Sequence, residues 1–349
     1  MSSKKGKQKK NKIKTPSGKE GSASAGDAKK SLGEKVTHLF DKMSSLFFGG
    51  DLAFVSTRFN QSKYIPKRKK IIKSNSLSRA FFTEAKSAFR YCLMEPEMIL
   101  FSTLNALSLF FLFCIFIYGF LATMPEVFDG LSLFALIVFW PVWLWLCLWT
   151  LSNLTGFFTG AMGISVLKRM NGEKSTVPGC LAESLSRRKN IQRYEWNTLT
   201  RTIALAANRI PGEHETEAES KKYKREFYGW RYGKFAILPH ILLGKPLVEA
   251  GQASVEMVKR NFKEVCLFRT AYSRVRLLLW FFTWVAMSYY FAFGPGRSPD
   301  EDNVIAMILA QGILSVIPFM LLTRIFLYPV LVISSCCRTM EDLEKQKNE

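Results

Sequence analysis

The sequence predicts an all-α integral membrane protein: about four transmembrane helices, N-terminal amphipathic helices, and a helical region held in the cytoplasm or against the membrane. Three observations carry that expectation. Hydrophobic residues make up 48% of the 349 residues, yet the formal net charge is +21. The two properties are segregated, because long uncharged runs alternate with Lys/Arg-rich stretches, as they do where basic loops flank membrane crossings. The apolar runs are also rich in aromatic side chains, with 29 Phe and 8 Trp in the chain.

Residues 1–35 are mostly Lys, Gly, Ser and Ala. With almost nothing to bury, such a tail cannot offset its ordering entropy and is expected to be disordered. It has no apolar core of the kind a signal peptide needs. Residues 36–97 are expected to supply interfacial helices. Val36, Leu39, Phe40, Met43 and Phe47 recur at helical spacing before Gly49-Gly50. A basic cluster follows, in which Lys67, Arg68, Lys69, Lys70 and Lys73 are candidates for contact with anionic headgroups. Next, Phe81, Ala85, Ala88, Phe89 and Cys92 line one face of a segment whose other face carries Arg79, Thr83, Lys86 and Arg90. That pattern predicts a helix lying in the membrane interface.

Residues 98–167 read as a transmembrane hairpin, with apolar runs from Met98 to Met124 and from Gly130 onward. Each meets the roughly 20 residues a crossing needs. In the second run Trp140, Trp143, Trp145 and Trp149 spread over more than two turns, which suits lipid or subunit contact better than a ligand cage. Gly156 and Gly160 are four apart and would let another helix approach closely.

Residues 168–276 form the one sizeable non-spanning region. Within it, 235–244 is apolar but only half long enough to cross, and it is interrupted at Pro239. Such a piece dips partway into the membrane or packs under the spans, since a helix break there is tolerated only under protein cover. Pro246 then opens an amphipathic helix with Leu247, Gly251, Ser254, Val255, Val258 and Phe262 on one stripe. Gly251 and Ser254 are small enough to admit a neighbouring helix.

Residues 277–337 read as a second hairpin, and 338–349 as a terminal tail. Arg324 interrupts the last apolar run. About 20 residues from Val304 bring the helix to the inner boundary, so Arg324 is expected to snorkel to the headgroups, with a shallow or re-entrant piece bent at Pro329 after it. The two connections "PEVFDG" and "PGRSPDEDN" are acidic, whereas the N-terminal and middle regions are basic. The positive-inside rule therefore places both termini and the middle region in the cytoplasm.

The stretch "YGWRYGKFAILPHILLGKPLVEAGQASVEMVKRNFKE", Tyr228 to Glu264, resembles a segment of a group of bacterial polytopic membrane proteins. It is similar as well to the membrane domain attached to some glycerophosphodiester phosphodiesterases. The resemblance implies a helical membrane architecture and a bacterial inner membrane. It implies no activity, because the α/β barrel with its acidic and His residues has no counterpart here, and the chain holds only three His.

Signatures of chemistry are otherwise missing. "GEKST" at Gly172 to Thr176 lacks the glycine spacing of a phosphate loop, and neither HExxH nor GxSxG occurs. The seven Cys show no metal-ligand spacing, so no metal or other cofactor is expected. His240 with Glu249 is the thinnest candidate for a functional pair at the membrane boundary, and a satisfied interfacial His is the simpler reading. The reading that leads is a non-enzymatic membrane protein, a structural or assembly subunit of a larger inner-membrane complex. A transporter or channel component and a lipid-handling protein are the alternatives. Expected partners are anionic lipids, other membrane-complex proteins and a second copy of the chain. Nucleic acid is disfavoured because the basic tail has no aromatic side chain to stack on bases.

Overall fold

The computed structural model describes residues 52–60, 68, 71–72, 76–128, 133–207, 217–293 and 314–349. The tail, the expected helix at 36–50, Lys67, Lys69, Lys70, Lys73 and most of the two acidic connections lie outside the described residues. The described residues are helical, with no strand among them. In chain order the helices are α1 (Ala53–Asn60), α2 (Leu77–Met94), α3 (Pro96–Phe128), α4 (Leu133–Met170), α5 (Val177–Ser186), α6 (Arg188–Ala207), α7 (Glu217–Gly233), α8 (Ile237–Leu242), α9 (Leu247–Arg260), α10 (Phe262–Phe293), α11 (Val316–Leu322) and α12 (Tyr328–Asn348). A π-helical turn, Thr323–Leu327, joins α11 to α12.

Three helices are long and apolar enough to cross a membrane: Pro96–Gly119, Val142–Met170 and Val316–Asn348. They are longer than a crossing requires. The 38 residues of α4 span about 57 Å, nearly twice the roughly 30 Å hydrocarbon layer. Burial shows where the extra length goes. In α3, Met98, Phe101, Ala106 and Leu109 are buried, whereas Phe111, Ile115 and Tyr118 are exposed. In α4 the order reverses: Val142, Leu144 and Leu146 are exposed, and Ala161 to Leu167 are buried. In α10, Phe262 to Tyr272 contribute to the core, while Leu277, Leu278, Phe281 and Phe282 face outward. Each long helix thus has one half packed in a common body and one half whose apolar side chains are bare. Bare Leu, Phe and Trp over that many turns are stable only against lipid or another apolar chain.

The body holds the amphipathic helices. Leu247, Gly251, Ser254, Val255 and Val258 of α9 are buried, together with Phe262 at the start of α10. Leu52 and Val55 beside and within α1 cover that stripe. All six residues of α8 are buried against α4, α6, α9 and α12. The half-length apolar run therefore packs against the long helices, and the expected break at Pro239 is absent because Pro239 falls in the first turn of α8, where its missing N–H costs little.

Two expectations change. The stripe of α2 is buried at Phe81, Ala85, Ala88 and Cys92, but against α10 and α12 of the body; Phe89 remains half exposed. Protein covers that stripe because Glu84 on the polar side pairs with Arg338 and accepts a hydrogen bond from Ser334 Oγ at 2.9 Å, which ties α2 to α12. The last apolar run is also not interrupted at Pro329. Val316–Asn348 runs on as one helix through the π-turn. Pro329 falls in the first turn of α12, where its missing N–H costs little. Residue Asp342 within 338–349 is buried and takes a two-pronged pair from Arg260, at 2.6 and 3.1 Å, plus Asn261 at 2.8 Å.

Candidate anion-binding site

The π-turn decides where Arg324 points. Widening the helix by one residue leaves main-chain carbonyls without their usual partners. Ser102 of α3 supplies one, because its hydroxyl donates to Arg324 O at 2.6 Å and reaches Ile325 O at 3.2 Å. Held this way, the Arg324 guanidinium sits over the Tyr328 ring, 4.6 Å from its centroid, and its Nη1 is buried without a hydrogen-bond partner. The side chain turns inward toward Glu195.

Around it five parts of the chain converge. Helix α6 contributes Tyr194 and Glu195. The residue after α7 is Lys234. Helix α10 contributes Arg269, Tyr272 and Arg276, the π-turn Arg324, and α12 Tyr328. Tyr328 is fixed from α4, whose Thr159 hydroxyl donates to Tyr328 Oη at 3.3 Å. Glu195 lies across Gly156 of α4, where an added Cβ would meet its Cγ at 3.1 Å. Tyr194, Glu195, Lys234, Arg269, Arg324 and Tyr328 are each partly exposed between these elements, and the cluster they form is the recess. The recess lies where the packed halves of the long helices give way to their bare halves, since Ser102, Thr159, Arg276 and Arg324 all fall near that change.

Its electrostatics are lopsided. Lys234 and Arg324 face a single carboxylate, Glu195, and Arg269 lies beside Lys234. Burial pushes the Lys234 ammonium down to about 7, and neighbouring Arg269 adds to the fall. Burial lowers Arg269 to about 10, helped by Arg231. Burial raises the Glu195 carboxyl above its usual range, and Arg324 and Lys234 offset only part of that. Donors and acceptors stand ready: Arg324 Nη1, Arg269 Nε and Glu195 Oε1 are buried with no hydrogen-bond partner. The Lys234 ammonium lies 5.3 Å from the centroid of the Trp230 ring. A buried excess of unpaired cations is costly unless an anion completes it. The chemistry on offer is anion recognition by charge-assisted hydrogen bonds.

Other candidate residues are placed differently. Arg68 stacks over Tyr228 at 4.3 Å and donates from Nε to Tyr232 Oη at 3.0 Å, so its head is held by α7. Gly160 faces Ser184 of α5 and Ile191 of α6. Gly251 faces Phe54 and Leu52, and Ser254 accepts from Ala236 N at 2.9 Å while donating to Gly233 O at 2.7 Å. His240 and Glu249 are not brought together. His240 is buried with both ring nitrogens unpartnered, near Lys245, Asp342 and Arg260, while Glu249 is exposed on α9. Pro239 and the buried α8 turn His240 into the body, whereas Glu249 falls on the polar side of its helix.

The recess residues Glu195, Lys234, Arg269 and Tyr328 escape a linear reading. One signal was present: Arg269, Tyr272, Ser273 and Arg276 repeat at 3.6-residue spacing just before an apolar run, which puts basic and phenolic groups on one face at a membrane boundary. Comparison with protein-family models, with curated proteins and with solved structures found no match for this chain.

Proposed function

We propose that this chain is a polytopic inner-membrane protein, non-enzymatic, with four crossings and both termini in the cytoplasm, which binds the headgroup of an anionic lipid in its recess. The observation that carries this reading is the unmatched cationic charge of Lys234, Arg269 and Arg324, set at the level where the apolar helices leave the body. The outward-facing Leu277 to Tyr290 face of α10 supports a fourth crossing, and the basic middle region with acidic connections supports the orientation. At that boundary, a phosphate on the cytoplasmic leaflet is the anion closest to hand.

The subunit role expected from the sequence is the second reading. The bare aromatic faces of α3, α4 and α10, with Phe111, Phe139, Phe281, Phe282 and Tyr289 outward, support contact with a neighbouring chain as readily as with lipid.

One preparation separates the two. The protein is purified from its native membrane in mild detergent, and the intact particle is weighed and its contents identified. An anionic phospholipid retained in stoichiometric amount, and lost in a Lys234→Met, Arg324→Gln variant, supports lipid binding. Stoichiometric partner proteins with no retained lipid overturn it in favour of the subunit role. Thiol labelling of cysteines introduced at residues 5 and 345 tests the orientation, which fails if the two label from opposite sides.

A further inference from the structure

Helix α2 has a second apolar face. Its inner stripe, Phe81, Ala85, Ala88 and Cys92, is buried in the body. On the adjoining face Phe82, Phe89 and Leu93 repeat at helical spacing and are 68%, 50% and 80% exposed. Arg79, Lys86 and Arg90 come next around the helix, all exposed. No acid of α2 offsets them. Glu84, its one carboxylate, is turned to the body, where it pairs with Arg338 and accepts from Ser334 Oγ. Beyond the cations, Thr83 donates to Arg79 O at 2.8 Å and Ser87 to Thr83 O at 3.3 Å, so both hydroxyls are satisfied within the helix.

The packing of α2 sets this face beside the ends of two apolar runs. Glu95 is the corner between α2 and α3; it is buried, accepts from the Ser175 hydroxyl at 2.6 Å and pairs with Arg169 of α4 at 3.4 Å. One run long enough to cross a membrane starts next to that corner, at Pro96, and another ends next to it, at Met170. Helices α4 and α12 lie side by side in the same direction, since Thr159 meets Tyr328 and a Cβ on Gly163 would lie 3.8 Å from Val332. Arg169 and Arg338 stand equally far past the first of these contacts. Tied to one at Glu95 and to the other at Glu84, α2 crosses the two helices instead of running along either. Its exposed apolar side chains are continuous with those of α3: Leu93 and Met94 lead past the corner to Ile99 and Leu100, also exposed.

Resting on the reading of this chain as a membrane protein, we infer that α2 is an interfacial helix on the cytoplasmic surface of the bilayer. Phe82, Phe89 and Leu93 enter the acyl boundary, and Arg79, Lys86 and Arg90 contact anionic phosphates. Large apolar side chains bordered by cations are what a helix in the headgroup layer requires. Two observations favour lipid over a protein partner as the occupant. The face continues into α3, which needs an apolar surrounding along the same side. Its positive charge, with no acid of α2 beside it, complements an anionic leaflet.

The test uses the full-length protein carrying p-benzoylphenylalanine, which bonds covalently to its neighbours under near-ultraviolet light, at Phe82, Phe89, Leu93 or Phe111. Phe111 is on the bare half of α3 and reports the membrane reading by itself. Each protein is irradiated in its native membrane, purified and weighed. Lipid adducts at all four positions are expected. A lipid adduct at Phe111 alone overturns the interfacial role of α2 and leaves the membrane reading standing. No lipid adduct at any of the four overturns both. Adducts of Phe82, Phe89 and Leu93 to another polypeptide, a second copy included, overturn the lipid assignment and give the face to a protein partner. The charge is tested in nanodiscs of equal parts phosphatidylcholine and phosphatidylglycerol. Adducts at Phe89 should favour phosphatidylglycerol on the order of threefold, and the Arg79→Gln, Lys86→Gln, Arg90→Gln variant should lose that preference. All three side chains are exposed, so the variant is expected to fold. No preference in the wild type, or one unchanged in the variant, overturns the phosphate contacts.

Discussion

Arg231 and Arg269 each hydrogen-bond the other's main chain. Arg231 Nη2 donates to Arg269 O at 2.7 Å, and Arg269 Nη2 donates to Arg231 O at 3.0 Å. The exchange locks α7 to α10 and fixes two ends of the recess, since Lys234 lies one turn beyond Arg231. Arg231 also donates to the Ser273 hydroxyl. Two like charges are thereby held close without a carboxylate between them, because one terminal nitrogen of each donates to a carbonyl dipole.

Arg231→Lys keeps the charge and loses the planar set of donors that spans Arg269 O and Ser273 Oγ. The expected cost is about 1–3 kcal/mol. It should appear as a lower thermal midpoint in detergent, and an unchanged midpoint would show that the exchange contributes nothing.

Ser102→Ala removes the hydroxyl that satisfies Arg324 O and Ile325 O in the π-turn. Leaving buried carbonyls unpaired costs on the order of 1–3 kcal/mol. Because the turn also aims Arg324, headgroup retention should fall with stability. Retention at the wild-type level in a destabilised variant would separate the turn from the site.

Gly251→Val places a branched side chain against Phe54 and Leu52, where even a single Cβ would meet Phe54 Cζ at 2.8 Å and Leu52 Cδ2 at 3.2 Å. Overpacking of this kind costs about 1–3 kcal/mol. Relief comes most easily by lifting α1 from the body, so proteolysis near residues 52–60 should accelerate relative to the wild type. Equal cleavage rates would mean that α1 is not held by this contact.

His240 links stability to pH. Burial, with Lys245 adding to it, drives its imidazole from 6.5 down to about 4. Between those values the unfolded chain binds a proton that the folded protein refuses, so stability rises with pH across that window and is lost on acidification from about 6.5 toward 4. The slope approaches about 1.4 kcal/mol per pH unit at most. In His240→Leu that part of the pH dependence should vanish from thermal midpoints measured between pH 4 and 7. If the slope persists there, another group carries it.

The linear sequence was enough to determine the helical membrane class, the long apolar runs and the stripe of α9. Each of these is periodicity or run length, and Leu247, Gly251, Ser254, Val255 and Val258 repeat at a spacing only a helix places on one face. It also marked the small residues Gly156 and Gly160, though not that α5 and α6 would be what they admit. Only the tertiary structure decided how the charges are used. Depth in an apolar run marked Arg324 as a headgroup contact but said nothing about which side chains stand beside it. A π-turn bridged by Ser102, distant in sequence, aims it inward. Glu195, Lys234 and Arg269 each stand in ordinary polar surroundings along the chain. They become a site because packing of α4, α6, α7, α10 and α12 removes water from around them together, and the cost of burying a charge depends on its neighbours in space.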